Sequence, residues 1–509
     1  MTGAKETRAR VLMVQGASSS AGKSLLVTAL CHSFSRRGVR VAPFKAQNMS
    51  NNAAVCPDGA EIGRAQYVQA LAAGIEPCVE INPVLIKPEA DACAQIIVMG
   101  RPFATLGACA YYDYKDKLWK HVTTSLDRLR ARYDLLIIEG AGSPAELNLK
   151  SNDIVNMAVA RYAKSPVLLI GDIDRGGIFA QLLGTLWLLD AEERALVRGL
   201  VVNKFRGDLS LFEEGVRILE KKGNLPVLGV VPYLNDLRIP EEDAVALEIP
   251  AATRVDRTDE IDIAILRLPL ISNFDDFDPF CADRGVRIRY VTSPDELGHP
   301  DAIIIPGTKS TIADLAWLRS IALEKAVIEY AYAGGALVGI CGGYQMLGQI
   351  ITDPGSVETQ EETTLALGLL PLQTQFLTKK ATYQARARIR TGENWLQAIQ
   401  GQNLQGYEIH MGYTKSDSPW LEITARNDAP VNVLEGAMSS NGRIWGCYLH
   451  GIFANQDFRY AWLNSLGRKS DPAEYPATHD LFSQTLTRLT NAVETALDMK
   501  RLEKIIWDD

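Results

Sequence analysis

Cys-x-x-Cys pairs are missing from this chain of 509 residues, although it holds eight cysteines, at Cys31, Cys56, Cys78, Cys93, Cys109, Cys281, Cys341 and Cys447. That scatter gives no signal for a zinc or iron–sulfur site. It fits a reducing cytosol. Positive charge is also short, with 53 Lys+Arg against 61 Asp+Glu and a formal charge of −8, so nucleic acid is not an expected partner. No run reaches the roughly 18 apolar residues that a membrane-crossing helix needs, and MTGAKETRAR enters VLMVQG without a long hydrophobic region. A cytoplasmic protein without a membrane partner is the expectation. Internal repeats and low-complexity tracts are absent, and histidine is scarce, with six residues. The last scarcity shortens any search for a catalytic base.

What is present is enough chain for more than one core. Val11 to Gln15 reads as a buried strand, followed by GASSSAGKS from Gly16 to Ser24 and an amphipathic helix that ends at Gly38. Strand, small-residue loop and helix in that order form a phosphate cradle. Backbone N–H groups from Gly16 to Gly22 surround the anion, Lys23 supplies a cation and Ser24 a hydroxyl for Mg²⁺. Five residues separate Gly16 from Gly22, one more than in the usual motif. A plain Gly/Ser turn before a helix is the alternative.

Further strand-like runs start at Val41 and cover Asp134–Ile138, Pro166–Ile170, Leu200–Val202 and Val227–Val231. Their spacing predicts a doubly wound parallel sheet, whose strand ends gather ligand groups on one edge. Glu139 then becomes a Mg²⁺ carboxylate beside the phosphate loop, and Asp172 a second metal candidate. Asn203 is placed to meet a nucleotide. Lys45, Gln47, Asn48, Lys87, Asp174 and Arg175 are candidates for the substrate. Each of these polar groups also has a plain reading as a turn former or a solvated side chain. The charged stretch Glu241–Glu260 separates two domains, 1–245 and 261–509, with the linker at 246–260.

The second domain restarts strands at Ile261–Leu266, at Arg287 and at Asp301–Gly307, and then reaches ALVGICGGYQMLGQI. Four apolar residues run into Cys341, and two glycines open a helix. Such a turn lifts one side chain over the positive end of a helix, where a thiolate and a nearby oxyanion are both stabilised. Cys341 is the candidate nucleophile; the N–H groups of Gly342 and, from the adjacent strand end, Gly307 are the candidate oxyanion donors. A buried structural cysteine is the bland alternative. Among the histidines, His450 in RIWGCYLHGIF ends a strand and is the preferred base, with His410 in GYEIHMGYT as competitor. The tail from Asp480 to Ile505 is an amphipathic helical region expected to pack on its own domain.

Together GASSSAGKS, FKAQNMS, NPVLIKP, EGAGSPAE, DIDRGGIFA, NKFRGD, PGTKST, GICGGYQMLG, GYEIHMG and YLHGIF resemble the motifs of the cobyric acid synthase family across nearly the whole chain. The resemblance implies an α/β protein: an N-terminal P-loop domain like that of dethiobiotin synthetase and a C-terminal class I glutamine amidotransferase-like domain. It implies glutamine as nitrogen donor, ATP and Mg²⁺ as cofactors, and a corrinoid polycarboxylate as substrate, amidated at its b, d, e and g carboxylates. Lys23, Ser24 and Glu139 would serve ATP and Mg²⁺, while Cys341, His450, Gly307 and Gly342 would serve glutamine. Class I enzymes usually carry a glutamate two residues after the histidine; here that position is Ile452. What orients His450 is therefore open, as is homo-oligomer formation. Alternatives are cobyrinic acid a,c-diamide synthase, a related ATP-dependent acid amidase, or a regulatory P-loop ATPase with an inactive glutaminase-like domain. Cys341→Ser is expected to abolish glutamine-dependent amidation and spare the ammonia-dependent reaction, whereas Lys23→Ala is expected to lose both, as read by product formation with each nitrogen donor.

Overall fold

The aliphatic runs of the first half lie side by side in a computed structural model that describes residues 8–89, 93–235, 237, 239–240, 260–390, 393–467 and 478–508. The strands are β1 (Arg10–Gly16), β2 (Val41–Phe44), β3 (Leu135–Glu139), β4 (Val167–Asp172), β5 (Val197–Phe205) and β6 (Val227–Pro232). They pair in the order β6-β5-β4-β1-β3-β2, and every pairing is parallel. All residues of β3 and β4 are buried, which is why these strands do not alternate and carry a charged group only at their last residues, Glu139 and Asp172. The parallel arrangement brings the ends of β1, β3 and β4 to one edge. Helix α1 (Lys23–Arg36) starts there.

The second half builds its own sheet from β7 (Ile261–Leu266), β8 (Val286–Val291), β9 (Ala302–Ile305), β10 (Ala336–Ile340), β13 (Ala437–Met438) and β14 (Ile444–Cys447). The order is β8-β7-β9-β10-β14-β13, parallel except for the last pair. Because Ile340 is in register with Cys447, the segments after β10 and β14 emerge together. A further sheet contains the antiparallel pair β11 (Leu372–Ile389) and β12 (Asn403–Ser416). Both strands are much longer than the runs visible as Thr382–Arg390 and Gly406–His410. A small sheet that includes Cys93–Val98 and Arg101–Gly107 was not anticipated at all. The expected linker, 246–260, lies outside the described residues except for Glu260.

The tail departs from expectation. Helices α4 (Thr478–Ala496) and α5 (Met499–Trp507) cross to the first half, where Leu489, Val493, Leu497, Leu502 and Ile506 join a core with Leu12, Leu26 and Phe34. Polar contacts seal the seat: His32 Nδ1 lies 2.8 Å from the Thr490 hydroxyl, and Ser33 donates to Glu494 at 2.5 Å. An apolar helical stripe says that a helix is covered, but not by which core. No helix among the described residues is long and apolar enough to cross a membrane. Leu502 is fully buried, so Leu502→Ala is expected to cost about 2–5 kcal/mol, seen as a lower denaturation midpoint although the residue belongs to neither central sheet.

Candidate active site

Strand β10 delivers Cys341 into a backbone conformation of φ 51° and ψ −105°, and α3 (Gly342–Met346) starts at once. A positive φ in a residue with a side chain is strained, and such strain gathers at functional turns. The glycines make the turn feasible. A Cβ on Gly343 would collide with the Ile305 carbonyl, and one on Gly342 would lie 2.7 Å from the Thr308 methyl group. Cys341 is 6% exposed and its thiol lies 3.4 Å from the Ile409 carbonyl oxygen.

His450 stands after β14, 2% exposed. Its Nδ1–H donates to Asp276 Oδ2 at 2.6 Å, while the other Asp276 oxygen accepts the Gly451 N–H at 2.8 Å. Asp276 is itself buried, in a 3₁₀ segment spanning Phe274–Ala282. With both carboxylate oxygens engaged, the imidazole plane is fixed and Nε2 is left for Cys341. Burial alone would lower the affinity of His450 for a proton. The charge of Asp276, followed by that of Cys341, overcomes this and raises the imidazole from 6.5 to about 10. The place of a glutamate at position 452, where Ile452 stands, is thus taken by a carboxylate 174 residues earlier in the chain.

His410 belongs to a different arrangement. Its ring stacks on Tyr448, with centroids 3.8 Å apart, and Nδ1 lies 2.7 Å from the Gly412 carbonyl oxygen. Gly307 abuts the His450 imidazole: a Cβ there would approach His450 Cε1 to 2.9 Å. Beside the elbow, Thr311 donates to Gln345 Oε1 at 2.7 Å and Gln345 Nε2 donates to the Tyr448 hydroxyl at 3.1 Å. These groups can hold a nucleophile, an acid and a small polar substrate together.

At the edge of the first sheet, a Cβ on Gly16 would lie 2.7 Å from the Ser18 carbonyl oxygen and 2.8 Å from Lys23 Nζ, so the loop is shaped as a cradle that only glycine leaves open. Lys23 Nζ reaches the carbonyl oxygens of Ser18 (3.2 Å) and Gly142 (3.0 Å). Ser24 donates to Glu139 Oε1 at 2.9 Å, and Lys45 Nζ meets the same oxygen at 2.9 Å. Burial opposes the Glu139 charge, but Lys45, Gln69 and Ser24 hold its carboxyl below the ordinary range. A hydroxyl and an ionised carboxylate beside an anion cradle fit a phosphate-bound Mg²⁺. No set of three His, Cys, Asp or Glu side chains suited to a metal occurs among the described residues.

These groups open on a cavity of ≈ 1320 Å³, which Gly22, Gln47, Asn48, Arg175 and Asn203 also line. Asn203 donates to the Ala21 carbonyl oxygen at 2.9 Å, next to Gly22 at φ 98°. Two of the lining residues, Leu489 and Val493, come from the C-terminal helix. Nothing in the sequence signalled them, because their address depends on where α4 docks.

Three of the expected ligand residues are employed elsewhere. Lys87 is 3% exposed and bound to Glu61 at 2.8 Å, within a buried cluster completed by Lys380. Asp174 pairs on the surface with Arg206 at 2.7 Å. Asp172 is buried, with one oxygen on Lys204 Nζ at 2.9 Å and the other on the Asp174 N–H at 2.9 Å. In each case a neighbouring charge occupies the side chain. Asp276 is the functional residue that sequence reading missed. It stands in the acidic text NFDDFDPF, 174 residues before its partner, with nothing to mark it.

Comparison with known proteins adds two family matches. Residues 12–246 match the CobQ/CobB/MinD/ParA nucleotide binding domain, and residues 262–458 match the CobB/CobQ-like glutamine amidotransferase domain. Among curated proteins, the chain is 55% identical over 482 residues to a cobyric acid synthase of Roseiflexus castenholzii, covering 92% of this chain and 96% of that one. It is 53% identical to the cobyric acid synthase of Chloroflexus aurantiacus (98% and 99% covered) and 52% identical to that of Herpetosiphon aurantiacus (98% and 99%).

Asp276→Asn is expected to lower kcat for glutamine hydrolysis on the order of 10²-fold or more while sparing ammonia use. It also carries a stability signature. His450 is raised from 6.5 to about 10 in the folded chain, so its contribution is complete below pH 6.5 and is lost as pH rises through about 10. The stability gap between wild type and Asp276→Asn, followed by denaturant titration at several pH values, is expected to shrink over that window.

Proposed function

The chain belongs to the cobyric acid synthase family, and from that premise we propose that it uses glutamine and ATP to amidate the b, d, e and g carboxylates of adenosylcobyrinic acid a,c-diamide, giving adenosylcobyric acid. The observation that carries this reading is one chain holding both an oriented Cys341–His450–Asp276 set and a Ser24–Glu139 pair at a phosphate cradle. Neither half explains the other's presence unless nitrogen released at one is used at the other.

Cys341 attacks the glutamine side-chain amide, and the N–H groups of Gly307 and Gly342 receive the oxyanion. His450, already protonated through Asp276, gives its proton to the departing ammonia. Water then hydrolyses the thioester to glutamate and returns the thiol. At the first sheet, ATP transfers its terminal phosphoryl group to a substrate carboxylate. The acyl phosphate is attacked by ammonia, and phosphate leaves. Gly16, Gly22 and Lys23 would hold the phosphates, Ser24 and Glu139 would hold Mg²⁺, which would screen the phosphate charge, and Asn203 would border the nucleotide. Lys45, Gln47, Asn48 and Arg175 face the same cavity and are placed for the substrate. A division into two halves at the 246–260 linker, with the helices of 478–507 seated on the first half, and a cytoplasmic setting, without membrane or nucleic-acid partners, complete the proposal.

Incubation with glutamine, ATP–Mg²⁺ and adenosylcobyrinic acid a,c-diamide is expected to give products in which successive hydroxyl groups are replaced by amino groups until all the named carboxylates are amides. The measurement is product mass. A folded chain that leaves the a,c-diamide unchanged, or that amidates only cobyrinic acid itself, would overturn the assignment.

A further inference from the structure

Behind His450 lies a buried cluster that crosses from one half to the other and that the reaction steps do not use. Arg64 opens α2 (Arg64–Ala72) on the first half. Its Nη2 lies 2.9 Å from Asp275 Oδ2 and donates to the Tyr407 hydroxyl at 2.5 Å, with its guanidinium 5.1 Å above the Tyr407 ring. The ion pair is shielded, with side chains 11% and 8% exposed.

Both partners of Arg64 lead directly to the catalytic imidazole. Tyr407 stacks on His450, with centroids 5.1 Å apart and planes 15° off parallel. The two residues also exchange backbone hydrogen bonds, at 3.1 and 2.9 Å. Asp275 precedes Asp276 in the segment that holds His450 Nδ1. Asn273, at φ 54°, caps that segment and pins it to the first half, with its N–H on Asn52 Oδ1 at 2.7 Å and its side-chain amide on the Ala53 carbonyl oxygen at 3.0 Å. The same amide donates to the Tyr407 hydroxyl at 2.7 Å. Further along α2, Gln69 donates to Glu139 at 2.5 Å, so the helix that carries Arg64 is seated at the phosphate loop as well.

We propose that Arg64 is a positioning residue for the glutamine-hydrolysing centre, contributed by the nucleotide-binding half: it fixes Asp275 and Tyr407, and through them the orientation of His450. The centre is then complete only when the two halves are docked. Charge supports the geometry. Burial would cost Arg64 its proton, but Asp275 holds it charged above its ordinary range. Asp275 itself is pushed upward by its burial and by Asp276 next to it, with Arg64 opposing. A neutral residue at position 64 leaves two adjacent carboxylates without the cation that separates their demands.

The inference rests on the functional reading above, and the two fail separately. In the full-length chain, Arg64→Gln is expected to lower kcat for glutamine hydrolysis about tenfold or more, with KM for glutamine and ammonia-dependent amidation each within about twofold of wild type. Arg64→Lys, which keeps a cation for Asp275, is expected to recover part of the loss. Should Arg64→Gln fail to fold, Tyr407→Phe removes only the shared hydroxyl and is expected to give a smaller fall in the same kcat. Unchanged glutamine turnover in whichever variant folds, or equal loss of glutamine and ammonia use, overturns the proposal. A wild-type chain that releases no glutamate from glutamine instead overturns the functional reading itself.

Discussion

A carboxylate and an imidazole meet at 2.6 Å, almost without solvent, where the 3₁₀ segment of the second half passes the end of β14. Each would be costly alone. Removing one partner of a buried pair typically costs about 3–5 kcal/mol, because the other charge is left uncompensated. Together they hold a proton on His450 and fix which nitrogen faces Cys341. The elbow contributes the strained thiol, the sheet register brings β10 and β14 side by side, and Asp276 holds the imidazole in its charged form. Without that contact, the other features would present a cysteine and a histidine with no fixed relation between them.

Buried charge also defines how the halves meet. Glu61 on the first half faces Lys87 at 2.8 Å and Lys380 of the second half at 2.6 Å, and Lys309 reaches Glu89 at 2.5 Å. One carboxylate is shared by two ammonium groups, and the balance is unequal. Burial opposes the charge on Glu61, yet Lys380 and Lys87 bring its carboxyl down to about 2. Lys380 is lowered to about 8, first by burial and then by the neighbouring lysines, although Glu61 opposes the change. Ion pairs of this kind add little net stability compared with apolar packing, but a misaligned interface would leave them unpaired. They select one docking geometry, the geometry that sets Arg64 behind His450.

The C-terminal helices extend the same dependence. By crossing to α1 they finish the core of the first half and place Leu489 and Val493 in the wall of its cavity. The chain therefore closes its nucleotide-binding half with residues that follow the glutamine-handling half in sequence. Neither part is self-contained.

Much of this protein was legible in the sequence wherever neighbours in the chain are neighbours in space. A strand, a glycine turn and a helix are consecutive, so the phosphate loop at Gly16–Ser24 and the elbow at Cys341 follow from local steric rules, and the parallel order of the strands puts Glu139 beside Ser24. His450 and His410 both end strand-like runs in the sequence, and local pattern gives no decisive ground between them; the Asp276 contact belongs to His450 alone. Partners far apart in the chain were not legible. Asp276 finds His450 across 174 residues, and Lys380 finds Glu61 across 319. Lys87 looked like a ligand group until that cluster claimed it, and the tail helix bore an apolar stripe that fits any core. Spacing and periodicity determine the turn that a segment makes and the face that it buries. Which buried charge meets which, and on whose surface a helix settles, is decided only when sheets and domains dock, because a desolvated charge is then tolerated only where an opposite charge or hydrogen-bond partner meets it.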